Sequence, residues 1–93
     1  MDIKKDFHNE ISFIKAGKYR SLIISDINDK FKTPTEISKS LKIPMRETSR
    51  ALKELKDHDI LEVLDETVKK GRLYKLTPKG FEILKILKNN KYF

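Results

Sequence analysis

Of the 21 basic side chains in this 93-residue sequence, only Arg20, Arg46, Arg50 and Arg72 are arginine. Arginine carries a planar fork that can grip two acceptors at once, whereas lysine is a mobile point charge. Where a lysine-rich chain spends its arginines is therefore informative. Arg46 and Arg50 stand four residues apart, and Lys53 follows three further on. On a helix that spacing makes one face. The forks match the O6 and N7 acceptors of guanine, the commonest specific base contact in the major groove. Met45, Glu47 and Ser49 are expected near base or sugar edges beside them, Met45 against a thymine methyl. Lys69, Lys70 and Arg72 form a second basic group, suited to phosphate or to a neighbouring minor groove. Thr33, Thr35 and Ser38 gather at a helix start, where exposed N–H groups commonly meet phosphate.

Other chemistries find little support. There is no cysteine, which removes thiolate ligands, thiol nucleophiles and redox switches. His8 and His58 are too few and too far apart for a metal site, and His58 suits the end of a helix as a cation. No paired carboxylates mark a cleft and no Gly-rich phosphate loop occurs. The expectation is a protein that is not an enzyme and needs no cofactor or metal.

The net charge of +7 is unevenly distributed. Residues 1–68 hold 13 basic and 13 acidic side chains, while residues 69–93 hold eight basic and one acidic. Within the neutral part, Lys42 to Lys56 is basic and Asp57 to Glu66 is wholly acidic among its charges. One face for a polyanion and one without is the pattern this produces.

The elements that must position these groups follow from spacing and punctuation. Phe7, Ile11 and Ile14 predict a helix over about residues 4–16, stopped by Gly17. Tyr19, Leu22, Ile23 and Ile27 predict a second over about 18–30. Thr33-Pro34-Thr35-Glu36 combines a cap, a proline at the first position and a Glu three residues after the cap. The helix it opens ends before Pro44, so Lys42-Ile43 must be a tight turn. A further helix over about 45–57 turns Thr48, Ala51, Leu52 and Leu55 inward, and two helices so joined make a helix-turn-helix. Leu61 with Val63, and Tyr74 with Leu76, predict a β-hairpin around the polar stretch 65–71. Thr77-Pro78 then launches a last helix to about Asn89. Its Phe81, Ile83, Leu84, Ile86 and Leu87 cover more than half the circumference, against a stripe of roughly 100° on an ordinary surface helix.

This order, mostly α with a small hairpin (α+β), is that of a winged helix-turn-helix with helices flanking the wing domain. The residues resemble small archaeal-type winged-helix transcriptional regulators related to the MarR and ArsR groups. Lys18-Tyr19-Arg20, residues 33–41, Thr48 to Leu55 and Leu73 to Gly80 carry the resemblance, over roughly residues 18–88. It implies duplex DNA as partner and residues 45–57 as the recognition helix. The family usually has Val or Ile at Thr48 and Gly at Asp59, which implies looser packing at one and a strained turn at the other.

Three parts are expected: residues 1–17 as a dimerisation helix, 18–77 as the DNA-binding unit, and 78–93 as a second dimerisation helix. Phe7, Ile11, Phe13, Ile14, Ile83, Ile86, Leu87, Tyr92 and Phe93 are the apolar residues expected between two copies. The function expected is sequence-specific binding of double-stranded DNA by a homodimer, repressing transcription by blocking polymerase. The alternative is a winged helix that docks proteins within a larger assembly. No apolar run approaches the ~20 residues of a membrane span, so a cytoplasmic setting is expected. No residue identifies a small-molecule effector.

Overall fold

The computed structural model describes residues 8–68 and 71–89. Phe7, Lys69, Lys70, Tyr92 and Phe93 lie outside the described residues. In order come α1 (His8–Ala16), α2 (Arg20–Ile27), α3 (Pro34–Leu41), α4 (Met45–Asp57), β1 (Leu61–Val63), β2 (Tyr74–Leu76) and α5 (Pro78–Asn89). The two strands pair antiparallel, with Leu61 opposite Leu76 and Val63 opposite Tyr74. The architecture is the helix-rich α+β arrangement with a hairpin that the spacing predicts.

Local chemistry sets the helix ends. Thr33 and Glu36 form the capping box at the start of α3: the Glu36 N–H donates to Thr33 Oγ1, and the Thr33 N–H donates to Glu36 Oε1. The helix stops at Lys42, which is left-handed at φ 56°, and the Ile43 N–H reaches back to the Ser38 carbonyl. Pro44 then caps α4, whose Thr48, Ala51, Leu52 and Leu55 are buried as their spacing requires. Thr48 does not leave its hydroxyl stranded, because Oγ1 donates to the Pro44 carbonyl.

The far end of α4 is closed by Asp59 at φ 59°. The Ile60 N–H donates to the Leu55 carbonyl and the Asp59 N–H to that of Lys56, a Schellman closure with Ile60 and Leu55 both buried. This is the strained turn expected at Asp59, a place that glycine usually fills. Helix α5 starts directly over it. Thr77 Oγ1 donates to the Asp59 carbonyl at 2.6 Å and accepts from the Gly80 N–H at 3.0 Å. Gly80 lies so close that a Cβ there would collide with the Ile60 carbonyl oxygen.

One residue pairing escapes the sequence pattern. Lys32, between α2 and α3, exchanges both backbone hydrogen bonds with Tyr74, so β2 is bordered on both sides.

A single hydrophobic core serves all seven elements, α1 and α5 included. Ile11 and Ile14 from α1, and Ile83, Ile86 and Leu87 from α5, are buried within it. Apart from Phe81, which is 40% exposed, the wide apolar stripe of α5 is covered by the chain itself, since α5 packs against both α2 and β2. The width of the stripe is therefore accounted for largely within one chain. Of the residues expected at a dimer interface, these five are core residues here, and Phe13 is partly buried against the core.

Two substitutions test this closure in opposite directions. A left-handed L-residue costs about 1–2 kcal/mol, while glycine costs about 0.5–1 kcal/mol in chain entropy. Asp59→Gly is therefore expected to stabilise the fold by roughly 0.5–1 kcal/mol in urea denaturation. Gly80→Ala is expected to destabilise it by about 1–3 kcal/mol, because the added methyl must push α5 off the α4 turn.

Candidate nucleic-acid interface

Burying Thr48, Ala51, Leu52 and Leu55 on one side of α4 leaves the opposite side to solvent. At about 100° per residue, Arg46, Arg50 and Lys53 fall within an arc of roughly 60° centred away from the core. All three are exposed, and none has a hydrogen-bond or ion-pair partner among the described residues. Met45 and Ser49, also exposed, lie on one flank, while Glu47, half-buried, and Glu54 lie on the other. The structure brings together the groups expected to read bases.

Helix α4 is braced near its C-terminus, and its supporting helix is tied to α2. Near its C-terminus, Arg20 Nη2 donates to Glu54 Oε2 at 2.9 Å, and Nη1 donates to the Phe13 carbonyl. The Arg20 guanidinium also lies 3.8 Å from the Phe13 ring centroid, whose other neighbour is the His58 ring, stacked at 3.7 Å. So Arg20 joins α1, α2 and α4 in one stack. Lys79 Nζ donates to the His58 carbonyl at 2.9 Å and pairs with Glu10 at 3.3 Å. A cation in the first turn of α5 opposes that helix's dipole, and these two acceptors offset it. On the far side, Asp26 of α2 accepts from Ser40 of α3 at 2.7 Å and faces Lys32 Nζ at 3.1 Å. Supporting helix and recognition helix are therefore fixed to the same body.

The remaining candidates divide. Thr33 spends its hydroxyl on Glu36, so it is a cap. The Ser38 hydroxyl donates to the Ile43 carbonyl inside the turn and does not face outward for phosphate. Thr35 is exposed. Arg72 folds back onto its own loop, donating from Nε to the Val68 carbonyl and from Nη2 to that of Glu66. Its guanidinium braces the wing rather than reaching away from it, which the spacing alone could not reveal. Arg20, Phe13, His58 and Lys79 as the brace of α4 were missed as a set. Their only sequence signal is the Lys18-Tyr19-Arg20 motif, because the contacts join residues far apart in the chain.

Two carboxyls are held below their ordinary values. The Thr33 N–H bond, then its hydroxyl, lowers Glu36, with Lys32 adding a little. The Thr67 hydroxyl, then its N–H, lowers Asp65 in the wing loop. Among the described residues no group of three or more His, Asp or Glu side chains is placed to hold a metal ion. None of their helices is long and apolar enough to cross a membrane.

The sequence matches the winged helix-turn-helix family over residues 20–92. The fold is similar to that of the transcriptional regulator YodB of B. subtilis, at 31% identity and TM-score 0.71, covering 89% of this chain and 84% of that one. It is similar to a MarR-family transcriptional regulator of Porphyromonas gingivalis W83 at 26% identity and TM-score 0.72, covering 98% and 86%. A third likeness, to Staphylococcus aureus MarR solved with salicylate and kanamycin, has TM-score 0.73 at 23% identity and covers 97% and 71%. The archaeal side of the resemblance finds no support in these structures. No curated protein sequence matches significantly.

The capping box makes a pH test possible. Because the folded state lowers the Glu36 carboxyl, its contribution to stability is present above the ordinary value of 4.5 and lost as pH falls through the lower folded value. Thermal melts between pH 6 and pH 3 should show Glu36→Gln losing less stability than the parent across that window. Equal acid limbs would deny the carboxylate this role.

Proposed function

The chain belongs to the winged helix-turn-helix family and has the fold of MarR-type DNA-binding transcriptional regulators, and from that premise we propose that it binds double-stranded DNA in a sequence-specific manner, as a repressor. The observation that carries this reading is the exposed stripe of Arg46, Arg50 and Lys53, without a partner among the described residues, on a helix otherwise braced by the core. Arg46 and Arg50 enter the major groove and read guanine, Met45 and Ser49 touch base or sugar edges on one flank, and Glu47 lies on the other. Lys53, Thr35 and the lysines at 69 and 70 supply phosphate contacts, with Arg72 holding the wing loop in shape. Repression follows from occupying DNA that polymerase requires.

We further propose a symmetric homodimer through the terminal helices, which would present two copies of α4 about one DNA turn apart. Because Ile11, Ile14, Ile83, Ile86 and Leu87 are already buried, the interface must use the outer faces of α1 and α5, where Phe81 is 40% exposed. Sedimentation at micromolar concentration is expected to give twice 11.0 kDa. A single species at the monomer mass would remove the dimer and leave the fold intact.

A second reading has one observation in its favour. Leu64 and Leu73 pair beside the strands and are 50% and 37% exposed, and Phe31 nearby is 51% exposed. Apolar residues on a wing suit a docking module as well as a DNA reader. Selection of sites from a random duplex pool near physiological salt separates the two. The parent is expected to enrich a palindrome, and Arg46→Ala/Arg50→Ala to lose it while keeping salt-sensitive bulk binding. No enrichment by the parent would favour docking, because a +7 protein binds any polyanion weakly.

A further inference from the structure

Asp26 stands where its own helix gives it no reason to be. It lies in the last turn of α2, where a negative charge opposes the helix dipole. Its side chain is only 12% exposed, and Oδ2 is buried without a hydrogen bond among the described residues. Taking a carboxylate out of water in this way costs stability unless partners offset it. The partners of Asp26 come from two directions. Ser40 Oγ, in the last turn of α3, donates to Oδ1 at 2.7 Å, just before the chain turns into α4. Lys32 Nζ stands 3.1 Å from Oδ2, close enough for an ion pair but outside hydrogen-bonding angles. That contact is ionic, so the charge of Asp26 matters beyond its shape.

Lys32 in turn carries the wing. It exchanges both backbone hydrogen bonds with Tyr74, at 3.0 and 2.8 Å, and so borders β2. Residues facing each other across such a bridge share one side of the sheet. Tyr74 is buried, so the stem of Lys32 is turned inward towards Asp26, and its side chain is 20% exposed. The next residue, Thr33, caps α3. One carboxylate thus holds a residue at each end of α3, and one of the two is bonded to the wing strand. Apolar packing in the core sets spacing without direction, whereas these contacts have direction. We infer that Asp26 is a positioning residue for DNA binding. Through Lys32 it ties β2 to the end of α3 that leads into α4, and so sets the wing against the recognition helix. Two parts that must meet one duplex bind better when their spacing is fixed beforehand, because less freedom is lost on binding. The inference rests on the duplex DNA reading proposed above, and it adds a residue that touches no DNA.

The experiment uses the full chain and the duplex enriched by the parent protein, with Asp26→Asn and with Asp26→Asn/Lys32→Met. Asparagine keeps an acceptor for Ser40 and removes the charge that holds Lys32. It also raises the net charge above +7, which by charge alone would tighten binding to a polyanion. The tie predicts the opposite sign. Asp26→Asn is expected to bind roughly three- to tenfold more weakly than the parent, and the double variant, which has the parent's net charge, about as weakly. The enriched bases should not change, since Arg46 and Arg50 are untouched. In a Lys69→Ala/Lys70→Ala background the loss from Asp26→Asn should shrink, because it acts through the wing. In an Arg46→Ala background it should persist in full. A role in stability alone would lower the melting temperature and give equal losses in both backgrounds. If Asp26→Asn does not fold, the double variant, which leaves neither charge unpaired, supplies the reading. Parent-like or tighter binding by these variants, or a loss undiminished when the wing lysines are replaced, overturns this inference alone. A parent that selects no site overturns it together with the reading on which it rests.

Discussion

The last turn of α4 is closed by a left-handed Asp59, and the carbonyls that this turn leaves outside the helix are taken up from the start of α5. Thr77 Oγ1 donates to the Asp59 carbonyl, Lys79 Nζ donates to that of His58, and the missing side chain of Gly80 lets α5 settle onto Ile60. These are orphan acceptors of a helix end, and the part-buried one at Asp59 would cost about 1–3 kcal/mol if left without a donor. Satisfying them from α5 also fixes geometry. The hairpin leaves α4 at Leu61 and returns to α5 at Leu76, so the closure sets where the wing stands relative to the recognition helix. The rest of the presented surface inherits its positions from that junction.

Electrostatics reinforces this arrangement without supplying its main stability. The ion pairs of Arg20 with Glu54 and Lys79 with Glu10 lie at element junctions, so they orient helices more than they hold them. Pairs this exposed are worth at most about 1 kcal/mol. Their other effect is on the outer face. By consuming Glu54, Arg20 removes a carboxylate that would otherwise compete with an external anion for Arg50, its neighbour in a surface concavity.

Much of this was legible in the residues. The start of α3 could be read because capping is a local transaction between Thr33, Pro34 and Glu36. Helix α4 could be read to its first and last residue, because Pro44 and the spacing of four buried side chains bracket it. The isolated bridge formed by Lys32 could not, since one residue has no period and its partner Tyr74 is 42 positions away. The width of the stripe on α5 was legible, but what covers most of it was not. Periodicity counts how much of a helix is apolar and says nothing of what covers it, and α2 with β2 cover it here. The bases expected to be read by α4 remain a matter of proposal, whereas the exposure of its cations is a matter of structure.

The four arginines show how one side chain serves two ends, decided by reach. Arg20 and Arg72 stand within range of backbone carbonyls, those of Phe13, Val68 and Glu66, and a planar guanidinium with several donors satisfies more than one acceptor at once. The fold thus supplies partners for arginine at these two sites. Arg46 and Arg50 have no such neighbours among the described residues, and the core-facing side of α4 holds them away from any. The fold gives no reason for a fork where nothing is gripped and where the chain elsewhere uses lysine. Acceptors arranged in pairs and reached across a helix face would suit such forks. Paired acceptors occur on the edge of a guanine, the contact proposed above, and also on the two free oxygens of a phosphate.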